Sequence, residues 1–268
     1  MNKIYAIILA FMICAAAAAA AERRALPLDG VSDIFIAAST ADIALAHPRA
    51  GAAAAIQWRN KHCELDITEP AKGVLQINIT AKPQHVFVRE ILGIRQTPCK
   101  IILEAPAGKN IYASSESGSI KLAAFKAKSL RLYTASGAVD IDGYEGLLSA
   151  ETLTGRINAR GIVSNQTDLK SASGGINAAG LIKKADILNT SGSSRLSGTV
   201  DALRFYSSEG SLLASWDALP PEPLEISARS FAGDLQILLP PGTDMQNAAD
   251  NIKLKTFYGK ASLLPRAS

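Results

Sequence analysis

One pattern constrains the fold of this 268-residue chain more than any other: a Ser/Thr–x–x–Gly unit followed by alternating apolar residues. It recurs as SESGSIKL, TASGAVDI, TLTGRINA, SASGGINA, NTSGSSRL and SSEGSLLA between residues 115 and 214. Their glycines are Gly118, Gly137, Gly155, Gly174, Gly192 and Gly210, at steps of 18 or 19 residues. Two looser copies, SFAGDLQI and TFYGKASL, add Gly233 and Gly259 to the same column. A repeat of this kind decides architecture before any local propensity does.

Alignment on the glycine exposes two sets of apolar columns. Ile111 and Ala113, Leu130 and Leu132, and Leu148 and Ala150 stand seven and five residues before it. Ile120 and Leu122, Val139 and Ile141, and Ile157 and Ala159 stand two and four residues after it. Polar residues alternate with them, so each unit reads as strand, turn, strand. The unit is too short for a propeller blade and matches one solenoid rung, whose apolar face is buried only by stacking on its neighbours. Eight rungs at about 4.8 Å give a stack roughly 34 Å long. The glycine is expected to supply a bend with φ > 0. Three residues before it stand Ser115, Thr134, Thr152, Ser171, Asn189, Ser207, Ser230 and Thr256. This column reads either as a hydroxyl ladder on the inner side of the bend or as the plain preference of Thr for strands and Ser for turns. Thr167 and Ser194 interrupt the apolar columns and are its weak points.

The segment IFIAASTADIAL (34–45) fits the same columns with Ala41 in the glycine position. Further strands are expected around Ile56–Trp58, Leu65–Ile67, Leu75–Ile79, Val86–Val88 and Ile101–Leu103. Residues 216–224 and 239–251 interrupt the last rungs as insertions, and no helix-period stretch exists beyond the first residues. The expected fold class is therefore all-β: a single-stack, β-helix-like β-solenoid with an N-terminal β cap or small sandwich. The corresponding division is a signal peptide (1–21), an N-terminal β region or cap with the first rung (22–110), and a solenoid repeat domain (111–268).

The first residues read as an export signal. Lys3 precedes the apolar run Ile4 to Ile13, and an alanine tract ends in an A-x-A site with cleavage expected after Ala21. The run is short for a membrane span. A lipoprotein reading would place the lipid on Cys14, but Ile13 stands where such signals want a small residue. Export leaves Cys63 and Cys99, a candidate disulfide in an oxidising compartment, with two buried free thiols as the competing reading. A zinc site needs four ligands, and His47, His62 and His85 have no such spacing. The net charge of +4, one less without Lys3, leaves no footprint for nucleic acid and no polybasic membrane patch.

Catalytic signatures are missing from the sequence. There is no G-x-S-x-G elbow, Walker loop or dinucleotide fingerprint, and no histidine lies in the repeat. The calcium-roll GGxGxD signature is also absent. Asp140 and Asp142 are the best local carboxylate pair, but the column of Asp140 continues as Lys121, Asn158, Asn177, Arg195 and Leu213, which is no acidic cluster.

The S-G-x-I units, the P-x-G lead-in and the export signal together resemble a bacterial "putative adhesin" β-solenoid family, a domain of unknown function, similar to autotransporter adhesin head domains. The resemblance spans residues 31 to 263 and implies an extracytoplasmic, non-catalytic role: an envelope binding or structural module, without cofactor or metal, that meets a protein or glycan at the cell envelope. Localisation is then periplasmic or at the cell surface, with no transmembrane anchor after signal cleavage. No barrel, sorting motif or anchor follows the repeat in this sequence, which departs from surface-displayed adhesins. The competing functions are a carbohydrate-active β-helix enzyme and a periplasmic scaffold.

Overall fold

The computed structural model describes residues 22–49, 52–58, 63–81, 99–221 and 223–266. The expected leader, the strand around Val86–Val88, His62 and His85 lie outside these residues. All nineteen strands belong to one hydrogen-bonded sheet that coils on itself. The repeat region runs through β8 (Asn110–Ser115), β9 (Ile120–Thr134), β10 (Val139–Thr152), β11 (Ile157–Ser164), β12 (Thr167–Ser171), β13 (Ile176–Asn189) and β14 (Ser194–Ser207). It continues through β15 (Leu212–Trp216), β16 (Glu225–Ala232), β17 (Leu235–Leu239), β18 (Ile252–Tyr258) and β19 (Ala261–Pro265). Every pairing between successive rungs is parallel, and the register reproduces the sequence columns. Val139 lies between Ile120 and Ile157, and the file runs on through Ile176, Ser194, Leu212 and Leu235 to Ala261.

Each rung has three sides, as the parity of its buried residues shows. A strand alternates in and out, so its inward set changes parity only where the chain turns. In β9 the inward residues are Ile120 and Leu122, then Phe125 and Ala127, then Leu130, Leu132 and Thr134. The first switch falls at Ala124, whose φ is +48°; Gly143 (+78°) and Gly161 (+61°) hold that corner in the next two rungs. The second falls near residue 128, where the β9–β10 register shifts between Glu145 and Leu147. The Gly118–Gly259 column makes the third corner. The interior is filled by Ile, Leu and Val, with Phe125, Tyr144 and Trp216 as the largest fully buried side chains. Tyr144 donates its hydroxyl hydrogen to the Leu147 carbonyl (2.8 Å), and the Trp216 indole N–H donates to the Val200 carbonyl (2.7 Å). Burial of each such side chain contributes about 1.5–3 kcal/mol.

The N-terminal region extends this stack. Strands β2 (Asp33–Ala38) and β3 (Asp42–Ala46) form a rung under β8 and β9, pairing Ile34 with Ile111 and Ile43 with Ile120. Ala41 indeed sits beneath Gly118. On the other side of this rung lie β6 (Val74–Ala81) and β7 (Lys100–Glu104). Antiparallel strands then close that end: β5 (Cys63–Ala71) pairs with β6, β4 (Ala55–Trp58) with β7, and β1 (Glu22–Ala25) with β4. Of the two forms expected for this region, the structure is a cap that shares the solenoid core. Cys63 and Cys99 are bonded, with Cα atoms 6.2 Å apart, joining the start of β5 to the residue before β7.

The insertion at 239–251 departs from expectation, because it contains a one-turn helix, α1 (Met245–Ala249). Asp244 caps it by accepting from the backbone N–H groups of Gln246 (3.0 Å) and Asn247 (3.4 Å). Five residues are too few to register as helical periodicity.

Candidate functional site

The glycine corner holds the residues that the sequence singled out. Gly118, Gly137, Gly155, Gly174, Gly192, Gly210, Gly233 and Gly259 form one file, each above the carbonyl of its predecessor. A Cβ built on any of them would lie 1.6–2.9 Å from the backbone oxygen below, that oxygen belonging to Ala41 under Gly118 and to a glycine elsewhere. This corrects the expected reason for glycine. Only Gly192 (+120°) and Gly233 (+145°) have positive φ; the other six are glycine because the backbone of the neighbouring rung leaves no room for a Cβ.

The hydroxyl column works with this file. Thr134 Oγ1 accepts the Gly137 N–H (3.0 Å) of its own turn and donates to the Gly118 carbonyl (3.1 Å) of the rung below. Ser115 bridges Gly118 N–H (2.9 Å) and the Ala41 carbonyl (2.9 Å), and Ser230 and Thr256 donate to the Gly210 and Gly233 carbonyls, each at 3.0 Å. The ladder therefore runs from amide to hydroxyl to carbonyl, with no direct bond between hydroxyls. Two departures from the repeat answer each other. Asn189 replaces a hydroxyl residue and Ser194 replaces an apolar one; with its amide in the orientation its neighbours favour, Asn189 donates to the Gly174 carbonyl (3.3 Å) and accepts from Ser194 Oγ (3.0 Å). The hydroxyls of this corner from Ser115 to Ser230 are buried and hydrogen-bonded to its own backbone, so this file holds structure.

The surface available to a partner is the outer side of the strands that precede the glycine corner. One outward column runs Gln76, Phe35, Tyr112, Arg131, Ser149, Asp168; beside it runs Tyr133, Glu151, Lys170. The Phe35 and Tyr112 rings stack with centroids 4.4 Å apart and planes 5° from parallel. The Arg131 guanidinium carbon lies 5.4 Å from the Tyr112 ring centre. Together they line a shallow, open depression of about 750 Å³. Phe35 and Tyr133 are 39% and 38% exposed; one face of Phe35 is covered by Tyr112, and the rest of these two rings is partly open to solvent. At one edge, hydrogen bonds from Ser32 and Asn110 hold the Asp33 carboxyl below the usual carboxylate range.

Sequence reasoning followed the inward columns and so missed these residues. The signal was present in the aromatic residues six positions before the turn in two successive rungs, Phe35 and Tyr112. The carboxylates it did weigh lie on another side. Asp140 Oδ1 accepts from the Asn158 amide (2.9 Å), and Asn158 Oδ1 accepts from the Asn177 amide (3.0 Å), which makes a surface amide ladder. Asp142 is level with Arg160. No group of three or more His, Cys, Asp or Glu side chains suited to a metal exists among the described residues. No helix among them is long and apolar enough to cross a membrane.

These features define a class: a parallel β-solenoid closed at one corner by stacked glycines and buried hydroxyls. The chain belongs to the Toastrack DUF4097 family, whose model matches residues 31–262. Among solved structures it is similar to a "putative lipid binding protein" from Parabacteroides distasonis, at 15% identity and a TM-score of 0.51, with 92% of this chain and 97% of that chain covered. It is also similar to a "putative cell adhesion protein" from Clostridium sporogenes, at 12% identity and a TM-score of 0.33, with 92% and 99% covered. No curated protein matches the chain.

Proposed function

We propose that this chain is an exported, non-catalytic binding module of the bacterial cell envelope, and that the face bearing Phe35, Tyr112, Arg131 and Tyr133 receives an extended glycan. The stacked Phe35–Tyr112 pair carries the reading. Two parallel, stacked rings on a rigid sheet, continued by a guanidinium and flanked by amide, carboxylate and ammonium groups in register, offer an apolar ridge beside directional hydrogen bonds, with the Tyr133 ring next to it. Parallel rungs hold these groups at about 4.8 Å spacing, so that little ordering is left for binding to impose. The Cys63–Cys99 bond fits an oxidising compartment.

The test is a glycan array probed with the purified protein, alongside capture from envelope fractions. Binding that is lost in Y112A/R131A, with the fold intact by circular dichroism, supports the reading. Silence on the array and in envelope fractions removes it. Turnover of an acidic polysaccharide that Asp140→Asn abolishes would instead make the protein an enzyme.

A further inference from the structure

The two ends of the stack are finished differently. At the N-terminal end β5, β4 and β1 cover the last rung. At the C-terminal end β18 pairs only with β16, and β19 only with β17, among the described residues. The final rung, residues 252–266, has no acidic side chain and concentrates Lys253, Lys255 and Lys260, a local basic group that the net charge of the chain does not reveal; its Arg266 is paired with Asp217 (2.6 Å). At its glycine corner three aromatic rings gather in the open: Phe231, Phe257 and Tyr258 are 55%, 64% and 71% exposed. The Phe231 ring centre is 5.7 Å from that of Phe257 and 5.3 Å from that of Tyr258. Lys255 Nζ lies 5.0 Å from the Phe257 ring centre. Asp234, on the same corner, accepts from the Lys260 backbone N–H (2.8 Å).

We infer that this tip docks on an anionic lipid surface. Exposed aromatic rings beside lysines are the chemistry of the membrane interface, where rings sit at headgroup depth and ammonium groups meet lipid phosphates. The open edge limits the depth. Unpaired strand N–H and C=O groups cannot enter hydrocarbon, so β18 and β19 stay in the hydrated headgroup layer and only the rings reach below it. The row of lysines disfavours a second copy of the chain at the same edge, because antiparallel pairing would set Lys253 and Lys255 against their own counterparts. This tip shares no residue with the Phe35–Tyr112 face, so the two surfaces succeed or fail separately.

The experiment is flotation of the purified protein with vesicles of phosphatidylglycerol in phosphatidylcholine and with vesicles of phosphatidylcholine alone. Its N-terminus is defined by mass spectrometry so that wild type and variants share it. Binding to the anionic vesicles, weakened by salt, is expected. K253Q/K255Q should weaken it about five-fold per lysine, from about 1 kcal/mol for each basic residue near such a surface. F257A/Y258A should weaken it further while leaving the unfolding midpoint within a few degrees and the binding to glycan unchanged. Absence of vesicle binding, equal binding to both vesicle types, or binding that neither variant alters overturns the assignment. So does self-association in sedimentation that F257A/Y258A abolishes, because the rings would then be covered by another copy.

Discussion

Thr167 and Thr134 are a matched pair whose opposite fates test the hydrogen-bond reading of the core. Both are fully buried at 0% exposure. Thr134 is bonded on both sides, from the Gly137 N–H and to the Gly118 carbonyl. Thr167 lies between Leu148 and Ala185 in an apolar column, and its Oγ1 has no hydrogen-bond partner among the described residues. A buried hydroxyl without a partner costs about 1–3 kcal/mol. Thr167→Val removes that cost, keeps the β-branched shape and adds apolar contact, so it should stabilise by about 1–3 kcal/mol. Thr134→Val makes the same chemical change but strands a donor and an acceptor, so it should destabilise by about 1–3 kcal/mol for each group. The assay is guanidinium unfolding followed by circular dichroism, with thermal melts in parallel, where each kcal/mol corresponds to about 2–4 °C for a chain of this size. Midpoints that move in the same direction for the two variants, or a T167V that melts lower than wild type, would refute the reasoning.

Four further outcomes follow from the geometry. Gly155→Ala should cost at least about 3 kcal/mol because the added carbon meets the Gly137 carbonyl at 1.8 Å, whereas Gly242→Ala, with φ of +80° and open space, should cost only about 1–2 kcal/mol in denaturant melts. Ala124→Gly should stabilise by about 0.5–1 kcal/mol, since Ala124 holds a left-handed φ of +48° where the next rungs have glycine; an unchanged midpoint refutes it. Replacing Cys63 and Cys99 by serine should lower stability by about 3–4 kcal/mol on the chain-entropy account, read against the reduced wild type as a control. Burial raises the Tyr144 phenol well above its ordinary value of about 10, so its contribution is complete below that value and is lost as pH rises through it. Urea melts should therefore show wild type losing up to about 1.4 kcal/mol per pH unit above pH 10 that Tyr144→Phe does not lose.

The inward columns were legible because burial imposes strict alternation: Ile120, Val139 and Ile157 could be aligned by counting from the glycines, and the register agrees. Ala41 could be placed for the same reason. The corner at Ala124 was legible in part: Ala124, Gly143, Gly161, Gly180 and Gly198 each stand six residues after a repeat glycine, a column that keeps the repeat spacing. What the spacing does not show is the register shift that pairs Ile162 with Gly180, and the corner near residue 128 has no residue column at all. The role of the glycines was read as backbone freedom because the sequence shows one rung at a time, whereas the clash comes from the rung below. The face proposed for binding escaped notice because outward residues obey no repeat; Phe35 and Tyr112 are similar, but Arg131, Ser149 and Asp168 in the same column are not. The closing of the N-terminal end depends on antiparallel partners such as Ile56 and Leu103, far apart in sequence, which no local pattern announces.

Both long insertions leave the coil at the same corner, between the side that holds Trp216 or Leu239 and the strand that begins near Leu224 or Ile252. At the glycine corner every unit keeps the same count of residues from hydroxyl to glycine, because each carbonyl there is a floor for the next coil. Length can therefore vary at one seam while the other stays fixed. Such a chain can acquire new loops, or whole new coils, without disturbing the alignment of those already stacked.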